Sequence, residues 1–476
     1  MNNKYKALIK DTVIFAFGKF GSRLILFFLV PLYTNVLTTE EYGTSDFIFT
    51  ISQLLLSIFT LTIHDSVIRF GLSKKEKREN VLLCSILVLL TATAISLLCI
   101  PIFSQYDSIG KWSIYLSFMI ITTAFTDVIM NYLKVLNKNI LFSVISILQS
   151  ALLAIFNIIF LIALNLGVKG YLLSAILSNA ICVTIAFILG KLIKEIRNAK
   201  FDKALMRRML AFSSPLIFNN ISWWIVQSSD KLMIEAIIGA AQLGLYTAAT
   251  KIPSLINVLI SIFQQSWGIS SIKEIESTND RRFYSNIFAA YITAIFLACL
   301  LLNTIAEPFM SIYVGKDFIQ SWKYVPLLVV SATFSAISAY FGSLYGALKK
   351  SMNNMLTTII AAILNIIINL VLIEKIGIWG AVIGTVLSYI SIAIIRMFDV
   401  NRFIKMPINY SLFFTNSILI ISHSLLITNQ RYSITSSIIA IVLFFLINRK
   451  ITHKTLLKVT NKLKKDKQCK KKNLNI

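Results

Sequence analysis

The sequence predicts an all-α membrane protein of about fourteen transmembrane helices, built as two parallel six-helix repeats around a central cavity with two further helices at the C-terminus. Three observations carry that reading: an apolar composition, a train of span-length hydrophobic stretches, and a one-sided distribution of basic residues. Of 476 residues, 57% are hydrophobic and 14% charged, and the mean hydropathy is +0.76. A water-soluble domain has no interior large enough to hide that much apolar surface, so the solvent is lipid.

Crossing a hydrocarbon core takes about 20 apolar residues. The first such stretch, 10–36, has no small-residue cleavage site behind a short apolar core, which makes it a retained helix and not a signal peptide. Five more follow at 44–68, 81–103, 112–134, 140–164 and 170–190, then six at 209–238, 245–270, 283–306, 322–346, 353–374 and 378–398. The last two lie at 408–428 and 433–449. The connections are short, and the longest internal ones, 191–208 and 270–282, are charged connectors too small to fold alone.

Lys and Arg number 46 against 21 Asp and Glu, a formal net charge of +25. With the N-terminus in the cytoplasm, 32 of the 46 fall in inside segments, five in outside loops and nine within spans or at their ends. That asymmetry fits the positive-inside distribution and an even number of crossings, and it places both termini in the cytoplasm. It also argues against nucleic acid as the partner. The basic tail, 451–476, reads as a solvated anchor of the topology, with a juxtamembrane segment lying against anionic headgroups as the competing account.

An internal echo divides the chain. LGVKGYLLSAILS (166–178) and IGIWGAVIGTVLS (376–388) match at Gly167/Gly377, Gly170/Gly380, Leu177/Leu387 and Ser178/Ser388, and EEYG (40–43) stands opposite AQLG (241–244). Both members of each pair enter the membrane in the same direction, so the repeat is parallel. The resulting organisation is an N-terminal bundle at 1–200, a second bundle at 201–405, two extra helices at 406–450 and the tail.

Polar residues at helical spacing mark faces turned away from lipid. The second span carries Asp46, Thr50, Gln53, Ser57, Thr60 and His64; the seventh Asn219, Trp223, Gln227, Asp230 and Lys231; the eighth Lys251, Ser254, Asn257, Ser261, Gln264 and Gly268. Lys19 and Arg23 share one face of the first. A cation near mid-membrane costs about 2.5–3.5 kcal/mol on insertion scales. Lys19, Arg23 and Lys251 are therefore candidates for an anion site, with snorkelling to the interface as the competing account of the first two. Lys231 adjoins Asp230 and lies one turn from Glu235, so a local ion pair competes with a substrate role there. Asp65, Asp127, Asp230 and Glu235 are candidates for coupling to a proton or sodium gradient, or for neutralising nearby cations. Trp223 either packs against neighbouring helices or stacks on a sugar ring, with Gln227 on the same stripe. Pro31, Pro215 and Pro253 supply places to bend.

His64, His423 and His453 suggest no catalysis, and the five cysteines form no C-x-x-C pair, so neither a metal nor another cofactor is indicated. No phosphate-cradling Gly-rich loop is present, which removes ATP as a direct energy source.

PLYTNVLTTEEYGTSDF (31–47), SDKLMIEAIIG (229–239) and LGLYTAATKI (243–252) resemble stretches of the polysaccharide repeat-unit flippases, part of the multidrug/oligosaccharidyl-lipid/polysaccharide exporter superfamily. The resemblance implies a non-enzymatic carrier in the bacterial inner membrane that turns an undecaprenyl-pyrophosphate-linked oligosaccharide from the cytoplasmic to the periplasmic leaflet, for O-antigen or capsule synthesis. Its partners would be the lipid-linked oligosaccharide, membrane lipid, a polymerase and other assembly proteins. It further implies that Lys19, Arg23 and Lys251 meet pyrophosphate or acidic sugars. The alternative within the superfamily is an ion-coupled multidrug extruder, which would place acidic residues foremost in the cavity. A membrane polymerase or ligase would need a sizeable outside loop; the longest, 307–322, carries only Glu307, Lys316 and Asp317 as charged groups.

Overall fold

The computed structural model describes residues 21–73, 75–276, 280–429 and 433–449, and among these the chain is a succession of helices. Nine are long and apolar enough to cross a membrane; three bent pairs pass the same test together, and two shorter apolar helices, Gly21–Val36 and Ile434–Ile447, complete the set. Each of the fourteen stretches expected from hydropathy meets one of these. The described residues group into two compact units, Met1–Ala248 with Tyr313–Phe318, and Ala249–Ile312 with Ile319–Ile476.

Unit 1 begins with α1 (Gly21–Val36). Thr38 then caps α2 (Thr39–Phe59): its hydroxyl accepts from the Glu41 amide while the Glu41 carboxylate accepts from the Thr38 amide. Leu61 and Thr62 take left-handed backbone, and the chain turns by 55° into α3 (Ile63–Gly71). Then come α4 (Arg78–Leu98), α5 (Ser113–Val135), α6 (Asn139–Asn157, extended by a π-helical turn Ile158–Ala163), α7 (Gly167–Leu189), α8 (Lys203–Ile238) and α9 (Ala240–Ala249). α5 is the hub, packed against α2, α3, α4 and α7. α8, which the repeat count assigns to the second bundle, packs here against α2, α3 and α4. Two hydroxyls fix it at the bend: Thr62 Oγ1 donates to the Ser213 carbonyl at 2.9 Å and Ser66 Oγ to the Met209 carbonyl at 2.7 Å.

Unit 2 holds α10 (Pro253–Glu276), α11 (Arg281–Tyr313, its last residue in unit 1), a 3-10 segment (Lys316–Tyr324, its first three residues in unit 1), α12 (Val325–Ala347), α13 (Ser351–Ile376), α14 (Ile378–Ile404), α15 (Tyr410–Thr428) and α16 (Ser433–Ile447). α12 is its core, set against α10, α14 and α15. A ring stack joins α10, α11 and α12: Phe263 and Tyr291 lie 4.0 Å apart, Trp267 and Tyr340 4.7 Å. With no water in a hydrocarbon core the polar tips need protein partners. Trp267 donates to the Tyr340 carbonyl, Tyr340 to that of Tyr284 and Tyr291 to that of Ala336. Arg396 is 3% exposed, and among the described residues no carboxylate lies within 4.0 Å of it. Its guanidinium is held by Ser338, Asn354, Thr357 and Thr358 among the described residues.

The repeat seen in the sequence has a physical content. Gly167 and Gly377 both take positive φ, +53° and +60°, at the start of α7 and α14, a conformation that costs a side chain heavily. One turn on, a Cβ at Gly170 would meet Leu161 at 3.1 Å, and one at Gly380 would meet the Ile373 backbone at 2.4 Å. Both helices thus lean closely on the end of the helix before them.

Candidate functional site

A buried group of charges inside unit 1 forms where α2 meets α8 and α9. The two helices of the EEYG/AQLG pair touch backbone to backbone: a Cβ on Gly43 would fall 1.8 Å from the Ala240 carbonyl oxygen, and one on Gly244 would fall 2.0 Å from that of Thr39. The contact is reciprocal. In the register that sets Gly43 opposite Gly244, Thr39 stands opposite Ala240, so each glycine receives the carbonyl that is the other's counterpart. One turn beyond Gly43, Asp46 is 6% exposed and accepts from Lys231 Nζ at 2.7 Å and from Thr247 Oγ1 at 3.0 Å. Asp230, 5% exposed, accepts from the Tyr246 hydroxyl at 2.8 Å. Trp224 Nε1 donates to the Thr50 carbonyl at 3.1 Å. Two carboxylates that would be very costly alone in lipid are thus each given a donor.

At the same end of the unit Thr34 Oγ1 accepts from the Gly315 amide at 3.0 Å, and Tyr313 donates to the Phe27 carbonyl at 2.7 Å. Glu235 lies near Ser108 and Glu40, with its Oε2 buried and unpartnered among the described residues.

The expected site residues separate into groups. Lys231 reaches across to Asp46 on α2 and not to its sequence neighbours Asp230 and Glu235. Arg23 is exposed, with no hydrogen bond or ion pair among the described residues; Ser22 beside it donates to the Ser146 carbonyl and seats α1 on α6. Lys251 is partly exposed at the 51° break between α9 and α10, and Ser254, Asn257 and Ser261 below it are exposed. Gln227 is exposed on α8. Asp127 on α5 is partly exposed and close enough to His64, Lys134 and Asp65 to feel their charges, while Asp65 itself lies 3.7 Å from His64 Nε2. Lys19 and the Trp223 side chain fall outside the described residues, as does the tail 451–476. Among the described residues no cluster of His, Cys, Asp or Glu could hold a metal ion.

Two features escaped the sequence reading. Thr60 ends α2, so His64 belongs to a separate helix and does not continue the stripe from Asp46. A polar chain in mid-helix, Gln149 to Asn179 to Thr123, joins α6, α7 and α5. Each of these helices contributes one residue to it, so no periodic stripe signals it.

The family model described as polysaccharide biosynthesis protein matches residues 8–267. Lsg locus protein 1 of Haemophilus influenzae is 22% identical over 340 residues, covering 69% of this chain and 82% of that protein. Among solved structures, the lipid II flippase MurJ in an inward closed conformation superposes with a TM-score of 0.68 at 12% identity, over 94% of this chain and 100% of MurJ. An inward-facing multidrug resistance MATE family transporter of the MOP superfamily gives 0.63 at 14% identity, over 80% and 98%. The chain therefore has the fold these transporters share.

Proposed function

Because this chain belongs to the polysaccharide biosynthesis protein family, we propose that it flips an undecaprenyl-pyrophosphate-linked oligosaccharide repeat unit from the cytoplasmic to the outer leaflet of the bacterial inner membrane, for O-antigen or capsule synthesis. The family match over residues 8–267 carries this reading, supported by the fold likeness to a lipid II flippase along nearly the whole chain. The physical task suits a polar-lined helical bundle. A sugar headgroup and a pyrophosphate cannot cross about 30 Å of hydrocarbon unaided, because each stripped hydroxyl and charge must find a partner. The polyprenyl tail needs no such path and stays among the acyl chains.

In this reading Arg23 and Lys251, with Lys19 four residues before Arg23 in the sequence, meet the pyrophosphate, and Gln227 and Trp223 meet the sugar. Arg23 suits the part because it is exposed and has no protein partner among the described residues. The Gly43–Gly244 contact is the closure that must part for access to alternate; by the basic-residue asymmetry it faces the periplasm. Parting it would release Lys231 from Asp46, making that cation available to the headgroup as the outer side opens. Asp65, Asp127, Asp230 and Glu235 are the groups through which a proton or sodium gradient would drive the cycle. A polymerase and other assembly proteins would receive the product.

Complementation of a deletion strain tests the proposal. The wild-type gene restores surface polysaccharide, whereas Arg23→Ala and Lys251→Ala leave it reduced at unchanged membrane levels of protein. A deletion strain with full surface polysaccharide contradicts the proposal, and wild-type glycan in both variants removes the anion site.

A further inference from the structure

Unit 1 contains a second polar constellation, separate from the Asp46–Lys231 contact. Thr123, Gln149 and Asn179 stand near the midpoints of α5, α6 and α7, where a hydrocarbon core is driest. Gln149 Nε2 donates to Asn179 Oδ1 at 2.5 Å, and Asn179 Nδ2 donates to Thr123 Oγ1 at 3.1 Å. The chain stops there. The Thr123 hydroxyl proton, the second amide hydrogens of Asn179 and Gln149, and Gln149 Oε1 have no partner among the described residues. None of the three side chains is sealed; each is partly exposed.

That accessible surface does not face lipid. At about 100° per residue, the exposed apolar residues Phe118, Val144 and Ile188 lie roughly 140° to 180° around their helices from Thr123, Gln149 and Asn179 respectively. The polar edge points inward, and its spare donors and acceptors are open to an occupant. Asp127, one turn from Thr123 on the same face of α5, adds a carboxylate that accepts no hydrogen bond from any described residue.

The chemistry selects the occupant. Three neutral groups offering as many N–H and O–H donors as acceptors give little to a naked anion, and their amide hydrogens oppose a cation cage. A sugar hydroxyl both donates and accepts. A primary amide presents N–H and C=O in one plane to two neighbouring hydroxyls, and a carboxylate can accept from both. We propose that Thr123, Gln149 and Asn179, with Asp127, form a binding site for the hydroxyls of a saccharide headgroup; this rests on the reading of the chain as a lipid-linked saccharide flippase.

The test uses full-length protein in lipid nanodiscs with two probes: undecaprenyl diphosphate bearing no sugar, and the lipid-linked oligosaccharide extracted from a strain lacking this protein. Wild type binds the second about tenfold more tightly than the first, the gain expected from two or three net hydrogen bonds. The double variant Gln149→Met, Asn179→Leu loses that preference to within about twofold, while its affinity for the sugar-free probe stays unchanged and reports correct folding. If the double variant binds neither probe, the near-isosteric Thr123→Val decides: a loss of about threefold in the preference supports the site, and no loss overturns it. A preference retained in the double variant overturns the proposal, as does a variant that alters only the sodium or pH dependence of binding. Wild type binding neither probe refutes the flippase reading itself, and the sugar site with it.

Discussion

Asp46→Asn probes the clasp between α2, α8 and α9 with almost no change of shape. The substitution keeps an oxygen for Thr247 but removes the charge that Lys231 faces at 2.7 Å. Both side chains are largely buried, at 8% and 20% exposure, so solvent screening relieves little of the loss. Breaking a buried ion pair from one side costs about 3–5 kcal/mol, because the remaining charge is left uncompensated. Lys231→Met should cost a similar amount for the mirrored reason. The double variant should cost much less than the sum, giving a coupling energy of about 3 kcal/mol. For a unit of this size, about 2–4 °C per kcal/mol translates the single losses into falls in apparent Tm on the order of 10 °C. Cys84 and Cys182 are buried in unit 1, so in a background without Cys99, Cys299 and Cys469 a thiol-reactive fluorophore reports its unfolding during a thermal ramp in nanodiscs. A drop under about 3 °C for Asp46→Asn, or additive single losses, would refute the claim that the pair holds these helices together.

Three further substitutions test packing. Gly43→Ala drives a methyl into the Ala240 carbonyl and should destabilise by at least about 1–3 kcal/mol. Gly346→Ala, on a helix with open space around its Cβ, should be neutral or stabilise by up to about 1 kcal/mol; equal apparent Tm values for the two would count against the close approach. Arg396→Lys exchanges a planar fork with five bonded donors for three, and should lower stability by about 2 kcal/mol despite retained charge. An unshifted melting curve would show that the fork geometry is dispensable.

Hydropathy makes the spans legible because lipid imposes one rule on every residue of a crossing helix. The bend before α10 was legible too: Pro253 opens that helix and forbids continuous bonding through the break. The bend after α2 was not, since Leu61 and Thr62 are not helix breakers. Their left-handed backbone comes with bonds from Thr62 and Ser66 to α8, a helix distant in sequence. The polar stripes show a similar limit. Asp46, Thr50 and Thr60 have the spacing of a water-lined face, yet all three are buried, whereas Ser254, Asn257 and Ser261 on α10 stay exposed. Periodicity says that a face avoids lipid; only the tertiary structure says whether protein or water covers it. Lys231 makes the point for charge, because its partner came from α2 and not from the acids beside it in sequence.

The claim that this chain flips a lipid-linked oligosaccharide is tested most directly by deleting its gene in the native host and analysing polyprenyl-linked oligosaccharides by mass, with their leaflet assigned by accessibility to an outside-added glycosidase. Accumulation of a complete repeat unit protected on the cytoplasmic side, with surface polymer lost, is the predicted result. Unchanged lipid-linked intermediates together with altered drug sensitivity would contradict it and favour an extruder of the same fold.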